Sequence, residues 1–366
     1  MTLTVTDADG LTDSDETTVE VLNANPSVEL EGATVSEGDS VVLQGSYSDP
    51  GVADTHTATV DWSDDSAGAE SLDLTAGGDG TGTFTVERTL GDDGTFDVTV
   101  EITDDDGGTA TTTATVQVSN SEPQLTVGGD TVELPGGSFA VVRPGDSTTI
   151  TADATDPGSD DLTFDWSTGR TATYYNNGVG EDPDPSPGPV FPATASDASD
   201  LTASEPGVQA VDVVVSDDDG ASVGGQLVVL TTGELTESRT KSWWLKQFRQ
   251  KGSVEPEEDL LGMLAFVEAA STVFGDESAG TPLGSLQAAD DALRSSTVSA
   301  RILLEQQLLV SWLNIASGGS QLDTEYWSET GPKSAVELLT EAEALWADPD
   351  STDSELYDAM WSVSRI

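Results

Sequence analysis

Val100-Glu101-Ile102-Thr103-Asp104-Asp105-Asp106-Gly107-Gly108 is the stretch on which the reading of this chain turns, because it comes three times. Leu3-Thr4-Val5-Thr6-Asp7-Ala8-Asp9-Gly10 opens the sequence, and Val213-Val214-Val215-Ser216-Asp217-Asp218-Asp219-Gly220 comes late. Each copy alternates apolar and polar residues, passes through Thr or Ser, and reaches an Asp-x-Asp-Gly turn followed by a second alternating run. Period-two alternation on both sides of a Gly-assisted turn predicts a β-hairpin. A recurrence at this scale predicts an array of similar domains.

Other landmarks recur with it. Ser48-Asp49-Pro50-Gly51 matches Thr155-Asp156-Pro157-Gly158, and Val60-Asp61-Trp62-Ser63 matches Phe164-Asp165-Trp166-Ser167. The offsets are 107 from Asp49 to Asp156, 104 from Trp62 to Trp166 and 113 from Asp104 to Asp217. The growth after the Trp strand places an inserted loop at 167–204. Residues 25–119 then read as one complete β-sandwich of seven short strands divided by Gly/Asp turns. Residues 120–232 read as a second. Residues 1–24, with strands running to Val19-Glu20-Val21-Leu22, read as the closing hairpin of a further repeat whose beginning lies upstream.

These residues resemble the polycystic-kidney-disease (PKD) repeat, an immunoglobulin-like β-sandwich. The early Asp-Pro turns, the Trp-centred strands, and Gly94-Thr95-Phe96-Asp97-Val98 leading to the Asp-x-Asp-Gly turn carry the resemblance. Gly207-Val208-Gln209-Ala210-Val211 departs from it at the usual aromatic position, and both Trp strands depart from the fuller Trp-x-Phe-Gly-Asp-Gly pattern. The resemblance implies extracellular spacer and adhesion modules without intrinsic catalysis.

Charge dominates the composition: 68 Asp plus Glu against 12 Lys plus Arg, net −56 over 366 residues. The acids lie between regularly spaced Val, Leu, Ile and Phe, so the apolar pattern survives and the chain folds. Self-repulsion is the physical problem. At molar salt the Debye length falls to about 3 Å and that repulsion is screened. The expected source is therefore a halophile, a haloarchaeon, with a carboxylate-covered surface. Cys is absent, which excludes disulfides and thiolate sites, and the single His56 excludes multi-His zinc. No run approaches the about 18 apolar residues of a membrane span. A secretion leader is expected upstream of Met1.

After Thr232 the character changes. Arg239, Lys241, Lys246, Arg249 and Lys251 cluster with Trp243, Trp244 and Phe248 in a linker and basic/aromatic segment, 233–256. Helical patterns follow over 257–366: one from Glu257, one from Ser296 to Ala316 stopped at Gly318-Gly319, one from Ser334 to Trp346, and one from Asp353 to Val363 with a Thr352/Glu355 capping box. Six of the eight Trp lie beyond residue 240, which predicts a small all-α domain with its own core. Arg239–Trp244 and Leu313-Asn314-Ile315-Ala316-Ser317-Gly318 are similar to a helical region at the C-termini of some prokaryotic surface proteins, with Ser242 in place of its Gly.

Candidate sites follow from this layout. Asp104, Asp106, Asp217 and Asp219, helped by Asp49 or Asp156, are candidate Ca²⁺ ligands, although Asp-Gly is first of all a turn signal. No cofactor is required otherwise. Tyr174, Tyr175, Asn176 and Asn177 in the long loop are candidate partner contacts. Trp243, Trp244, Lys246 and Arg249 are candidates for a docking face, set against the plainer reading that the aromatics seat the first helix in the core. His56 has no nucleophile elbow beside it. Nucleic acid and anionic lipid are repelled by the net charge, so neither is an expected partner. The expected protein is a non-enzymatic, extracellular adhesion or assembly component, whose partners are a protein or a glycan at the cell envelope, or further copies of itself. The tail of a secreted hydrolase and a capsid or tail protein of a haloarchaeal virus are the alternatives.

Overall fold

The computed structural model describes residues 1–63, 68–175, 191–275, 282–296, 299–328 and 330–366. The chain divides into two compact units, one built on 1–122 with 156–161, Tyr175 and 191–193, the other on 123–155, 162–174 and 194–366. The architecture is that of all-β sandwiches followed by helices.

In the first unit, β1 (Thr2–Thr6) and β2 (Thr12–Glu16) form an isolated antiparallel hairpin. Its second strand stops at Glu16, earlier than the alternation suggested, and Val19, Val21 and Leu22 are exposed outside any strand. The sandwich comprises β3 (Ser27–Leu30), β4 (Ala33–Ser36), β5 (Ser40–Ser48), β6 (His56–Trp62), β7 (Glu70–Leu72), β8 (Leu74–Ala76), β9 (Thr81–Thr89), β10 (Gly94–Asp104) and β11 (Thr109–Ser119). The sheets run β3-β5-β9-β8 and β4-β11-β10-β6-β7. Among the described residues nine strands therefore stand where seven were expected, the extra ones being short edge pieces. Alternation decides the core: Phe96, Val98, Val100 and Ile102 of β10 face inward, the last three with no exposure at all. Each such aliphatic side chain contributes roughly 1.5–3 kcal/mol over leaving it in water. Across β5 and β9, Gly45 pairs with Phe84 and Tyr47 with Gly82. Each glycine lies under its partner's ring, where a Cβ would collide.

The second unit repeats the plan with β12 (Gln124–Gly129), β13 (Val132–Leu134), β14 (Gly137–Val142), β15 (Ser147–Asp156), β16 (Leu162–Trp166), β17 (Thr171–Tyr174), β18 (Ala193–Thr202), β19 (Gly207–Ser216) and β20 (Ser222–Thr231). Its sheets are β12-β15-β18 and β13-β14-β20-β19-β16-β17. In both sandwiches the strand after the turn pairs in parallel with an early strand, β11 with β4 and β20 with β14.

Helices α1 (Lys241–Phe248), α2 (Glu257–Ala270), α3 (Thr272–Gly275), α4 (Leu286–Arg294) and α5 (Ala300–Ala316) follow. A hairpin of β21 (Glu325–Ser328) and β22 (Gly331–Ser334) then leads to α6 (Ala335–Ala347) and α7 (Asp353–Val363). Complete capping boxes, Ser334/Glu337 and Thr352/Glu355, start the last two helices. No helix among the described residues is long and apolar enough to cross a membrane.

The helices do not keep a core to themselves. Leu134, Phe139 and Leu230 of the second sandwich are buried in one cluster with Trp244, Met263, Leu264, Trp312 and Leu339. Glycines make the approach possible. The Gly136 N–H donates to the Ala270 carbonyl at 2.9 Å, and Gly262 in α2 lies against Pro206 and Gly207. Gly233 N–H donates to the Ala316 carbonyl at 2.7 Å and Leu235 N–H to that of Ser317 at 2.8 Å. The segment read as a linker is thus tied by its backbone to the end of α5, and its basic/aromatic part is helix α1.

Candidate functional site

Three carboxylates of the first unit converge, those of Asp49, Asp54 and Asp104, with ligand atoms all within 4.8 Å of one another. Asp104 Oδ1 accepts the N–H groups of Asp106 (3.0 Å) and Gly108 (2.7 Å), and Oδ2 accepts the Asn23 amide at 2.9 Å. Asp49 Oδ1 accepts Gly51 N–H at 2.7 Å, and its Oδ2 lies 2.9 Å from His56 Nε2. His56 packs on the Tyr47 ring at 4.9 Å. Electrostatics separates the carboxylates. The Asn23 hydrogen bond, joined by the turn's N–H groups, holds the Asp104 carboxyl below the ordinary carboxylate range. Burial, then the charges of Asp105, Asp49, Asp106 and Asp104, push Asp54 up. Ca²⁺ takes six to eight oxygens. Here both oxygens of Asp104 already face N–H donors, so the residue locks its own turn, and Asp106 is exposed.

Asp217 serves the equivalent turn of the second unit, its Oδ1 accepting Ala221 N–H at 2.7 Å, while Asp219 is exposed. Of the four residues named as Ca²⁺ candidates, Asp104 and Asp217 are buried at their turns, Asp106 and Asp219 are exposed, and Asp104 belongs to the converging trio.

The loop after the Trp strand is anchored by a network that sequence reading did not find. Asp197 accepts hydrogen bonds from Trp166 Nε1 (2.9 Å), Arg170 Nε (3.0 Å) and the Tyr174 hydroxyl (2.8 Å). Burial raises the Asp197 carboxyl, but Arg170, Trp166 and Tyr174 outweigh it and hold it well below the usual range. Tyr174 also meets Phe164 edge-on at 5.5 Å, so it belongs to the sandwich wall rather than to a free loop tip. Tyr175 is 48% exposed. Asn176 and Asn177 lie outside the described residues.

The basic/aromatic segment divides similarly. Trp244 has no exposure, and its indole N–H donates to Asn314 Oδ1 at 3.1 Å. Arg239 N–H reaches the same oxygen at 2.8 Å. The two stretches that resembled a C-terminal surface-protein region thus meet at one amide. Trp244 is removed from any docking face by this burial. Trp243 is partly buried under Arg239, Arg249 pairs with Asp290 at 3.0 Å, and Lys246 is exposed. A buried carboxylate in the same core, Glu343, accepts from Ser271, Thr272 and Trp312. An open cleft of about 690 Å³ in the second unit is lined by Asp130, Val132, Arg143, Thr148, Gln321 and Leu322.

Sequence reading also missed a surface. It assigned the late tryptophans to a core, yet Trp327 is 70% and Trp361 49% exposed, with Tyr357 at 44%. Helical spacing was the available signal, since Tyr357 and Trp361 stand one turn apart on a helix whose opposite face carries Leu356, Ala359 and Val363.

No family model matches the chain, and no curated protein matches it in sequence. Among solved structures it is similar to the first two immunoglobulin domains of DIP-gamma, at 12% identity and a TM-score of 0.26, over 58% of this chain and 100% of that one. It is similar to the adhesin InvE of Yersinia pseudotuberculosis at 15% identity and a TM-score of 0.28, over 58% of this chain and 60% of that one. The PKD domain of an M14-like peptidase from a Thermoplasmatales archaeon aligns at 20% identity and a TM-score of 0.21, over 31% of this chain and 98% of that domain. At these scores the β-sandwich assignment stands on the sheet topology itself.

Proposed function

We propose that this chain is a non-enzymatic structural and interaction protein of a haloarchaeal cell surface, in which β-sandwich modules set distance and the helical end supplies contact. The continuous core of the second unit carries the reading. Leu134, Phe139 and Leu230 are buried with the helices, and Gly136, Gly233 and Gly262 bring backbone against backbone. Helices fixed to a β module in this way present their outer surface in one orientation. The net charge of −56 supports the habitat, because such a surface is compact only where salt screens it. With the full chain as bait in molar KCl against a haloarchaeal envelope fraction, saturable retention of a partner is expected, with no turnover of peptide, ester or glycoside substrates. Retention no better than that of a heat-denatured control, or turnover of any of these substrates, would sink the reading.

A further inference from the structure

The six tryptophans beyond residue 240 take different surroundings: Trp244 and Trp312 are fully buried, Trp243 and Trp346 pack at the edge of the core, and Trp327 and Trp361 face solvent. The exposed pair is organised. Asp353, Tyr357 and Trp361 follow one another at four-residue spacing along α7, and Arg365 continues the stripe just past its end, all four exposed. The Arg365 guanidinium sits 4.0 Å over the Trp361 ring, and its Nη1 donates to the Trp327 carbonyl at 2.9 Å. One arginine therefore joins the Trp361 ring to the β21 backbone at Trp327 before any ligand arrives, and prior ordering lowers the cost of binding. On β21, Glu325 and Trp327 alternate outward to the same face.

The composition of this surface selects its occupant. Aromatic residues share this surface with carboxylates, Glu325 two residues from Trp327 on the same face of β21 and Asp353 one turn from Tyr357 on α7. An anionic ligand meets those carboxylates and the −56 of the whole chain. A protein interface would have to desolvate charges that interface cores avoid. A neutral sugar has neither difficulty. Its C–H face stacks on an indole, its hydroxyls donate to the carboxylates and accept from the guanidinium, and stacking persists in salt that screens ion pairs. We propose that the Trp327–Tyr357–Trp361–Arg365 surface binds a neutral carbohydrate chain. This rests on the reading of the helical end as the contact-making part.

The test titrates the full chain in molar KCl with neutral hexasaccharides of glucose, mannose, galactose and N-acetylglucosamine, followed by tryptophan fluorescence and calorimetry. At least one series is expected to bind saturably, with affinity falling at least tenfold in Trp361→Ala and in Trp327→Ala. Trp346→Phe is the control expected to bind normally, and far-ultraviolet circular dichroism checks folding in each variant. Absence of binding by all four sugars, or binding unchanged in both exposed-indole variants, overturns the proposal. Capture of an envelope protein that is lost in Trp361→Ala, without sugar binding, overturns the carbohydrate assignment and leaves the contact reading standing. Envelope retention that is indifferent to both variants, without sugar binding, overturns the proposal and leaves the contact reading standing.

Discussion

Hairpins β1–β2 and β10–β11 carry the same motif in opposite surroundings. In the first, Asp7 N–H donates to the Leu11 carbonyl at 2.9 Å, Asp7 Oδ1 accepts from the N–H groups of Asp9 and Leu11, and Gly10 has φ +86°. In the second, Asp104 N–H donates to the Gly108 carbonyl at 3.0 Å, its Oδ1 accepts from Asp106 and Gly108, and Gly107 has φ +90°. Yet Leu3 and Val5 are 63% and 62% exposed, while their counterparts Val100 and Ile102 have no exposure. The turn is local chemistry, an Asp side chain bonding its own backbone ahead of a glycine with positive φ. Burial of the strands needs an opposing sheet, and only β10–β11 has one among the described residues of this unit.

Salt withdrawal should separate the two most strongly. Lowering KCl from molar to about 0.1 M lengthens screening from about 3 to about 10 Å. Amide exchange at Val100 is expected to accelerate by orders of magnitude while that at Leu11 changes little; equal changes at both would break the comparison. Next in size is truncation of the motif's apolar positions. Val100→Ala or Ile102→Ala is expected to destabilise the first unit by about 2–4 kcal/mol in denaturant unfolding. Leu3→Ala and Val5→Ala should stay within about 0.5 kcal/mol of wild type. A smaller effect is expected at the turn itself. Asp104→Ala removes the Asn23 contact as well as the turn bonds and lowers the unfolding midpoint, whereas Asp7→Ala removes turn bonds alone and leaves the midpoint where it was.

The finest distinction is in pH. Asp104 has a lowered folded pKa, so its contribution is complete above the ordinary carboxylate value of about 4 and disappears as pH falls through the folded value. Asp54 has a raised one, so its contribution is present at low pH and disappears as pH rises through its folded value. First-unit stability measured against pH should therefore rise as Asp54 protonates and fall again under stronger acid. Asp54→Asn is expected to abolish the rise and Asp104→Asn the fall. Curves unaltered by either variant would remove the carboxylate cluster from the account.

What was legible followed the same division between local and distant. The Asp-x-Asp-Gly turns, the Gly318 stop after α5 and the Thr352/Glu355 start of α7 are each decided within a few residues, and each stands where the sequence placed it. The convergence of Asp49, Asp54 and Asp104 joins positions some fifty residues apart, and no period or spacing encodes it. Phe139 and Leu230 stand next to Ala140 and Val229, which fill the sandwich core, so they lie on the other face of the sheet and are buried by the helices, which strand alternation does not announce. Trp327 and Trp361 misled because tryptophan is usually evidence for a core; only the amphipathic register of α7 and the β21 alternation reveal them as outward.

The glycine contacts between the second sandwich and the helices bear on how such a chain is inherited. A genetic exchange with its breakpoint near residue 232 would part Gly136 from Ala270 and Leu230 from Met263, leaving each recombinant with half an interior. Exchanges near Pro123 cut none of these pairings. The second sandwich and its helices are therefore expected to be inherited together.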